Sequence, residues 1–366
     1  MNIETLLIVT AHPEFLQAAL TELKHLDQRL TTIEELAPGI MLCGAPDIAA
    51  LMHRTAKERP IFVRHLAPVQ ATVGLNNDED DIGMIAMAVA ALPSFAMLER
   101  GLHFAVQSRF VQTDKAIVQR PYSSGKLNQT LAEALAEETG AIESIKKPQI
   151  VISILCTTYQ GYLGISTAEE NLSGWPGGAR HYAQTPEQLS RAEFKLLEAL
   201  EIFDVTLPSR GKALDLGAAP GGWTRLLLEA GLHVIAVDPA NLDPRLARRQ
   251  GLEHYRGYAE HYLEEATRKH SQFDLIVNDM RMDARESARL LARAASCLRP
   301  NGFIISVLKL PHATREIHPL TTLKEAMGIL KQYYSIVQAH QLFHNRQEVT
   351  IFAARPYPRQ RSAETR

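Results

Sequence analysis

Four charged residues carry candidate chemistry: one upstream of a glycine-rich turn, two at the ends of apolar runs and one just before another such run. They are Lys195 in Leu189-Ser-Arg-Ala-Glu-Phe-Lys-Leu-Leu-Glu198, Asp279 in Ile276-Val-Asn-Asp-Met280, Lys309 in Val307-Leu-Lys-Leu-Pro311 and Glu348 in Asn345-Arg-Gln-Glu-Val-Thr350. Two ammonium groups and two carboxylates in one cleft could activate a weak nucleophile such as a hydroxyl. Lys309 is the candidate base, which requires a neutral amine although a free lysine has a pKa near ~10.4. Desolvation and the neighbouring cation Lys195 would lower that value, while Asp279 and Glu348 would oppose the shift and orient the ammonium groups. Lys309 could equally steer the hydroxyl while water takes the proton; the residues fit both roles. Singly, each charge reads as a solvated surface group. With Asp279 and Lys309 at strand C-termini, where Asp215 and Asp238 also fall, their joint appearance reads as a site.

A second cluster is the segment Asp215-Leu-Gly-Ala-Ala-Pro-Gly-Gly-Trp-Thr224, which follows the apolar pair Ala213-Leu214. It predicts a buried strand ending at an acid, a tight glycine turn and a helix over about 223–230. Such a turn lets backbone N–H groups approach a phosphate or nucleoside closely. Gly217, Gly221 and Gly222 lack the G-x-G-x-x-G spacing of a dinucleotide fold, and Pro220 stiffens the turn. Asp238, about twenty residues on, ends the next strand where an acid can accept ribose hydroxyl hydrogen bonds. It could also cap a helix. After the third strand only Tyr258 or Glu260 is offered to an adenine pocket. No His/Cys cluster suggests a metal.

These residues need a frame. Strands are predicted at 213–215, 234–238, 275–279, 304–308 and 349–353, with helices between them, notably over 281–298 and 320–333. This βαβ alternation predicts a parallel sheet covered on both faces, in which strand C-termini share one edge with the ligand crevice. Upstream, strands at 5–10, 31–35, 39–43 and 61–65 alternate with helices at 12–26 and from Asp47 to about Lys57. That βαββαβ order is ferredoxin-like. The acidic run Asn76-Asn-Asp-Glu-Asp-Asp81 reads as a solvated loop, because it lacks the spacing of a calcium loop. A middle block has strands at 104–110, 150–156 and 159–166 and a helix capped by Ser124. The expected domains are 1–84, 85–184 and 185–366, with a frayed Pro- and Arg-rich tail from Pro356 to Arg366.

The 366 residues are 46% hydrophobic and 22% charged, as in an ordinary globular protein, and suffice for two or three domains. A net charge of −2 argues against unselective coating of nucleic acid but allows local basic patches. No run is long and apolar enough to span a bilayer, and the start lacks a signal-peptide pattern, so no membrane partner is expected. Cys43, Cys156 and Cys297 are far apart in apolar surroundings, which predicts buried thiols and a reducing cytoplasm. Nothing in the sequence sets an oligomeric state.

The phrase DLGAAPGG resembles the S-adenosylmethionine (SAM) loop of Rossmann-type methyltransferases. That resemblance implies a SAM site built from Asp215, Gly217, Ala218, Pro220, Gly221, Gly222, Trp223, Asp238 and Asp279. Lys195, Asp279, Lys309 and Glu348 match, in order and context, the K-D-K-E catalytic tetrad of FtsJ-type RNA ribose 2′-O-methyltransferases. SRAEFKLLEA, DLGAAPGGWT, LKLP and NRQEVT are closer still to the branch acting on a cytidine of bacterial large-subunit (23S) rRNA. The resemblance therefore implies an α/β fold with a C-terminal class I (Rossmann-like) SAM methyltransferase, SAM as cofactor and rRNA as partner. The middle block resembles a THUMP RNA-docking domain, with Arg109, Lys126, Arg180 and Tyr182 as RNA contacts. THUMP modules often serve tRNA, so a tRNA 2′-O-methyltransferase is the nearest rival and an inactive RNA-binding scaffold the next. The fourth strand ends Asn278-Asp-Met-Arg281, without the Pro-Pro-Tyr of base N-methylation motifs. Arg281, Arg285, Arg289 and Arg293 recur every fourth position, either a solvated face or an RNA-facing ridge.

Overall fold

The apolar runs become the strands of three sheets. The computed structural model describes residues 6–112, 119–312 and 318–357, and the chain divides into two units, Met1–Arg180 and His181–Arg366. The residues of the expected tail beyond Tyr357 lie outside the described set, and Pro356 itself closes a strand.

In the first unit, β1 (Leu6–Thr10), α1 (Leu16–Leu26), β2 (Thr31–Ala37), β3 (Ile40–Gly44), α2 (Ile48–Glu58) and β4 (His65–Val69) follow the predicted βαββαβ order. Their antiparallel sheet is ordered β2-β3-β1-β4, the ferredoxin-like arrangement. Asp47 caps α2 by accepting the Ala50 N–H at 2.9 Å. The last strand starts four residues later than its apolar run suggests. The N–H groups of Ile61 and Phe62 donate instead to the Glu22 carboxylate at 3.0 and 2.8 Å.

A second sheet, β5-β9-β8-β6-β7, belongs to the same unit. It is built from β5 (Ala71–Gly74), β6 (His103–Phe110), β7 (Ile142–Glu143), β8 (Ile150–Cys156) and β9 (Gln160–Thr167). Helices α3 (Asp80–Ala90) and α4 (Ser124–Thr139) pack on it through a core that includes Ile85, Val89, Phe104, Leu127 and Ile152. Because β5 pairs with β9, this second layer begins at Ala71 rather than at residue 85. The acidic run is not a wholly solvated loop. Asp81 is fully buried and accepts from the N–H of Asn76 (2.8 Å), the N–H of Asn77 (2.9 Å) and the Tyr122 hydroxyl (2.7 Å).

The second unit carries a seven-stranded sheet. Its strands are β10 (Lys212–Leu216), β11 (His233–Val237), β12 (Leu252–Tyr255), β13 (Phe273–Asn278), β14 (Leu298–Lys309), β15 (Tyr334–His340) and β16 (Glu348–Pro356). The helices are α5 (Ala192–Ile202), α6 (Gly222–Glu229), α7 (Ala259–Arg268), α8 (Ala284–Ala294) and α9 (Pro319–Lys331). The order is β12-β11-β10-β13-β14-β16-β15. β10 to β14 are parallel as predicted, but β16 runs antiparallel to both neighbours, so the sheet is mixed. Strand order reverses between β10 and β13, which makes their C-terminal ends the ligand crevice. Leu196, Ala213, Leu227, Val277 and Ile305 fill the core on one face.

Candidate active site

The glycine turn leaves the sheet at this switch point. Gly217 has φ 76°, and an added Cβ would lie 2.4 Å from Met280 Cγ. Gly221 has φ 111°, with Leu246 Cδ1 2.3 Å from the corresponding position. Only glycine meets both demands. Gly217 and Ala218 donate their N–H groups to Val237 O at 2.9 and 3.2 Å, and the Pro220 carbonyl accepts from Asp243 at 2.9 Å. Asp215 lies beneath, 2% exposed, and takes the Thr224 hydroxyl at 2.6 Å. Burial pushes its carboxyl up to about 7; Thr224 opposes this, and the charges of Asp279 and Asp238 add to it.

Asp238 spends its two oxygens on the turn, accepting from the N–H of Ala219 at 3.1 Å and of Ala240 at 2.8 Å. Carboxylate oxygens accept more than one bond, so it keeps capacity for ribose hydroxyls. Trp223 sits differently from a ligand contact. Its indole is 4% exposed and donates to Ala192 O at 2.6 Å, bracing α6 against α5. Only its backbone N–H, in the first turn of α6, could face a cofactor. The turn, its first-turn N–H groups and Asp238 thus suit a nucleoside with a charged tail.

The four predicted catalytic residues meet. Lys309 Nζ lies 2.5 Å from Asp279 Oδ1 and 2.7 Å from Glu348 Oε1. Lys195 Nζ lies 2.7 Å from Glu348 Oε2 and 3.4 Å from Asp279 Oδ2. Cation and anion alternate around a closed ring whose side chains are 15–22% exposed. Topology explains the meeting: Lys309 ends β14, Glu348 opens β16, and the two are direct partners across the antiparallel ladder. Asp279 follows the last residue of β13, and Lys195 comes from α5. Burial pulls the Lys309 ammonium down, but the Asp279 and Glu348 carboxylates outweigh it and hold it above its ordinary value. Burial likewise pushes Glu348 up, and the two lysines more than reverse that. The expected depression of Lys309 is therefore absent in this arrangement: two carboxylates in contact outweigh desolvation.

Buried polar residues that the sequence reading passed over hold this ring. Asn278 is fully buried, and its amide donates to Ser287 and Ser306 hydroxyls at 2.9 and 3.0 Å, while its carbonyl accepts from Met280 N–H. Asp279 is fixed between those two anchored neighbours. Glu193, 1% exposed, accepts from Leu189 N–H at 2.7 Å and is ion-paired with Arg225 of α6. Glu198, also 1% exposed, binds the loop before Glu348. Their signal was weak, since a glutamate in a helix usually faces water.

Several proposed RNA contacts are placed otherwise. Arg180 is 5% exposed. Arg109 is half-buried, donates to Thr10 Oγ1 at 3.1 Å, and desolvation brings it down to about 10. Tyr182 packs on Phe194 and donates to Glu201 at 3.0 Å. Lys126 is exposed. In the arginine series, Arg285 pairs with Asp283 and Glu325, and Arg293 with Glu264. Arg281 and Arg289 are exposed and form no ion pair among the described residues. Tyr258 is 63% exposed at the mouth of α7.

A family model described as FtsJ-like methyltransferase matches residues 188–319. It takes in Lys195, the glycine turn, Asp238, Asp279 and Lys309, and stops before Glu348. The ribosomal RNA large subunit methyltransferase M of Thauera aminoaromatica is 30% identical over 305 residues, 80% of this chain and 79% of that protein. The chain belongs to the ribosomal RNA large subunit methyltransferase M family. The family member from Halorhodospira halophila is 35% identical over 191 residues, 51% of this chain and 53% of that protein, so that match spans about half its length. Among solved structures, TrmN from Thermus thermophilus is 18% identical, covers 96% of this chain and 99% of its own, and has a TM-score of 0.40. In this family member, no described helix is long and apolar enough to cross a membrane.

Proposed function

We propose that the protein transfers a methyl group from SAM to a ribose 2′-oxygen of RNA, on a cytidine of large-subunit (23S) rRNA. The observation that carries this is the closed Lys195–Asp279–Lys309–Glu348 ring at the strand ends beside the glycine turn. The relatives, ribosomal RNA large subunit methyltransferases M, support the choice of rRNA. When bound, SAM supplies a methyl carbon that carries a sulfonium leaving group. The first-turn N–H groups of α6 and the Asp238 carboxylate would hold its charged and ribose ends.

Lys309 is the residue that meets the hydroxyl. Two of its three N–H donors are taken by Asp279 and Glu348, and the third is left to aim at the 2′-oxygen. The ammonium form orients and polarises the hydroxyl, and its proton passes to water as the carbon–oxygen bond forms. Lys195 holds the two carboxylates from the far side, so Lys309 keeps one direction. In-line positioning then supplies much of the acceleration. The second sheet of the first unit, with exposed Lys126, serves as a THUMP-like RNA-docking layer, and Arg281 and Arg289 contact phosphates. The enzyme acts in the cytoplasm, where its three buried free cysteines stay reduced.

The test is transfer from labelled SAM to isolated rRNA and tRNA, followed by nucleoside analysis, with Lys309→Ala alongside. Label in 2′-O-methylcytidine of 23S rRNA is expected, with a loss of roughly 10²–10⁴-fold in the variant. Label on a base, label in tRNA alone, or full activity of the variant would overturn the proposal.

A further inference from the structure

Helix α5 carries more than Lys195. One turn further on, Glu198 is 1% exposed and points its carboxylate at the loop that leads into β16. Oε1 accepts from Phe343 N–H at 2.7 Å, and Oε2 from His344 N–H at 3.0 Å. His344 Nδ1 also lies 2.7 Å from Oε2. A buried carboxylate has only acceptors to offer, so this contact requires a proton on Nδ1. Three donors converge on one acid, an arrangement that offsets the cost of removing a charge from water.

The same loop closes on itself toward the ring. Asn345 Oδ1 accepts from Leu342 N–H at 2.9 Å and from the Thr350 hydroxyl at 3.0 Å. Its amide reaches Glu348 Oε2, the oxygen paired with Lys195, at 3.5 Å. A continuous path therefore runs from Glu198 through the 342–345 turn to Glu348, and back through Lys195 to α5. The cofactor end of the helix has its own anchor in Glu193 and Arg225. The two buried acids of α5, Glu193 and Glu198, thus serve two different neighbours.

We propose that Glu198 is a positioning residue for Glu348: it pins the turn before β16 to α5, so that Glu348 reaches both lysines. This rests on the tetrad reading given above. Glu198 acts through the turn, by the bonds it accepts from Phe343 and His344. Replacing it with glutamine swaps one acceptor oxygen for an NH2 group that cannot accept, so either Phe343 N–H or the His344 donors lose their acceptor.

The test is a double-mutant cycle in the full chain, Glu198→Gln and Glu348→Ala singly and together, in single-turnover transfer to 23S rRNA. Glu198→Gln should lower the rate roughly 10–100-fold while SAM affinity changes by less than about twofold. In the Glu348→Ala background it should add less than about twofold, because the residue it positions is gone. Amide exchange gives a readout independent of activity: Glu198→Gln should speed exchange across 341–348 and leave 212–229 unchanged. Multiplicative losses in the cycle, or unaltered exchange at 341–348, would overturn the proposal. A fully active Glu348→Ala would instead sink the tetrad reading, and the exchange result would still decide whether Glu198 holds the turn.

Discussion

The state of Lys309 during methyl transfer can be decided from its pH dependence. An ordinary lysine titrates at 10.5, and the two carboxylates hold Lys309 above that. At about pH 7.5 at most ~10⁻³ of the side chain is then a neutral amine, so a base mechanism begins about 4 kcal/mol uphill. Steering by the ammonium carries no such cost. The assay is single-turnover transfer to 23S rRNA at saturating SAM, between about pH 7 and 9.5. If the neutral amine were required, the rate would climb tenfold per unit, roughly 300-fold over the window. We expect less than about a threefold change. Lys309→Arg sharpens the comparison, because a guanidinium stays charged throughout the window. It should keep measurable transfer, lowered roughly 10–100-fold by its different shape. A unit-slope rise, together with no transfer by Lys309→Arg, would refute the reasoning.

Three further outcomes follow from the geometry. Asp215 is raised to about 7, so between its ordinary 3.8 and 7 the folded chain holds a proton that the unfolded chain has released, and stability falls as pH rises through that window. Asp215→Asn should gain on the wild type by about 1–3 kcal/mol between about pH 4 and 7 in urea unfolding; parallel curves would contradict the assignment. Gly217→Ala places a Cβ against Met280 at positive φ. It should weaken SAM binding by roughly tenfold or more in calorimetry, the equivalent of about 1–3 kcal/mol of strain, and unchanged affinity would show that the turn yields. Reversing Arg281 and Arg289 to glutamate should weaken RNA binding and reduce its salt slope, whereas reversing Arg285 and Arg293 should chiefly lower the melting temperature, since these are ion-paired. Equal RNA affinity across a salt series for the first pair would remove the basic ridge.

Much of the catalytic unit was legible because its central strands are short apolar runs that stop at chemically distinctive residues. Asp215, Asp238, Asp279 and Lys309 mark the ends of β10, β11, β13 and β14, and a parallel sheet brings such ends to one edge. The edge strands were harder. β12 and β15 are half-exposed and mix polar with apolar residues, so neither carries a buried-strand pattern. The reversed direction of β16 had no local signal, since a strand's direction is set by its partners. Charge was the other blind spot. Glu193 and Glu198 look like any helical glutamates, and Arg109 and Arg180 look like surface cations. All four are instead partly or fully withdrawn from water. A buried charge is recognised by what surrounds it in space, and helical or strand periodicity records only which face it occupies.

The pairing of Lys309 with Glu348 as direct partners across β14 and β16 bears on how this family can diverge. Some 38 positions separate the two residues, including α9 and β15, yet their meeting depends on ladder alignment and on the short turn that leads into β16. Segments gained or lost between β14 and β15 leave both alone. One residue inserted within either strand would turn every following side chain to the opposite face of the sheet. Length variation among relatives should therefore collect between β14 and β15, while the strands and the turn before β16 keep their length.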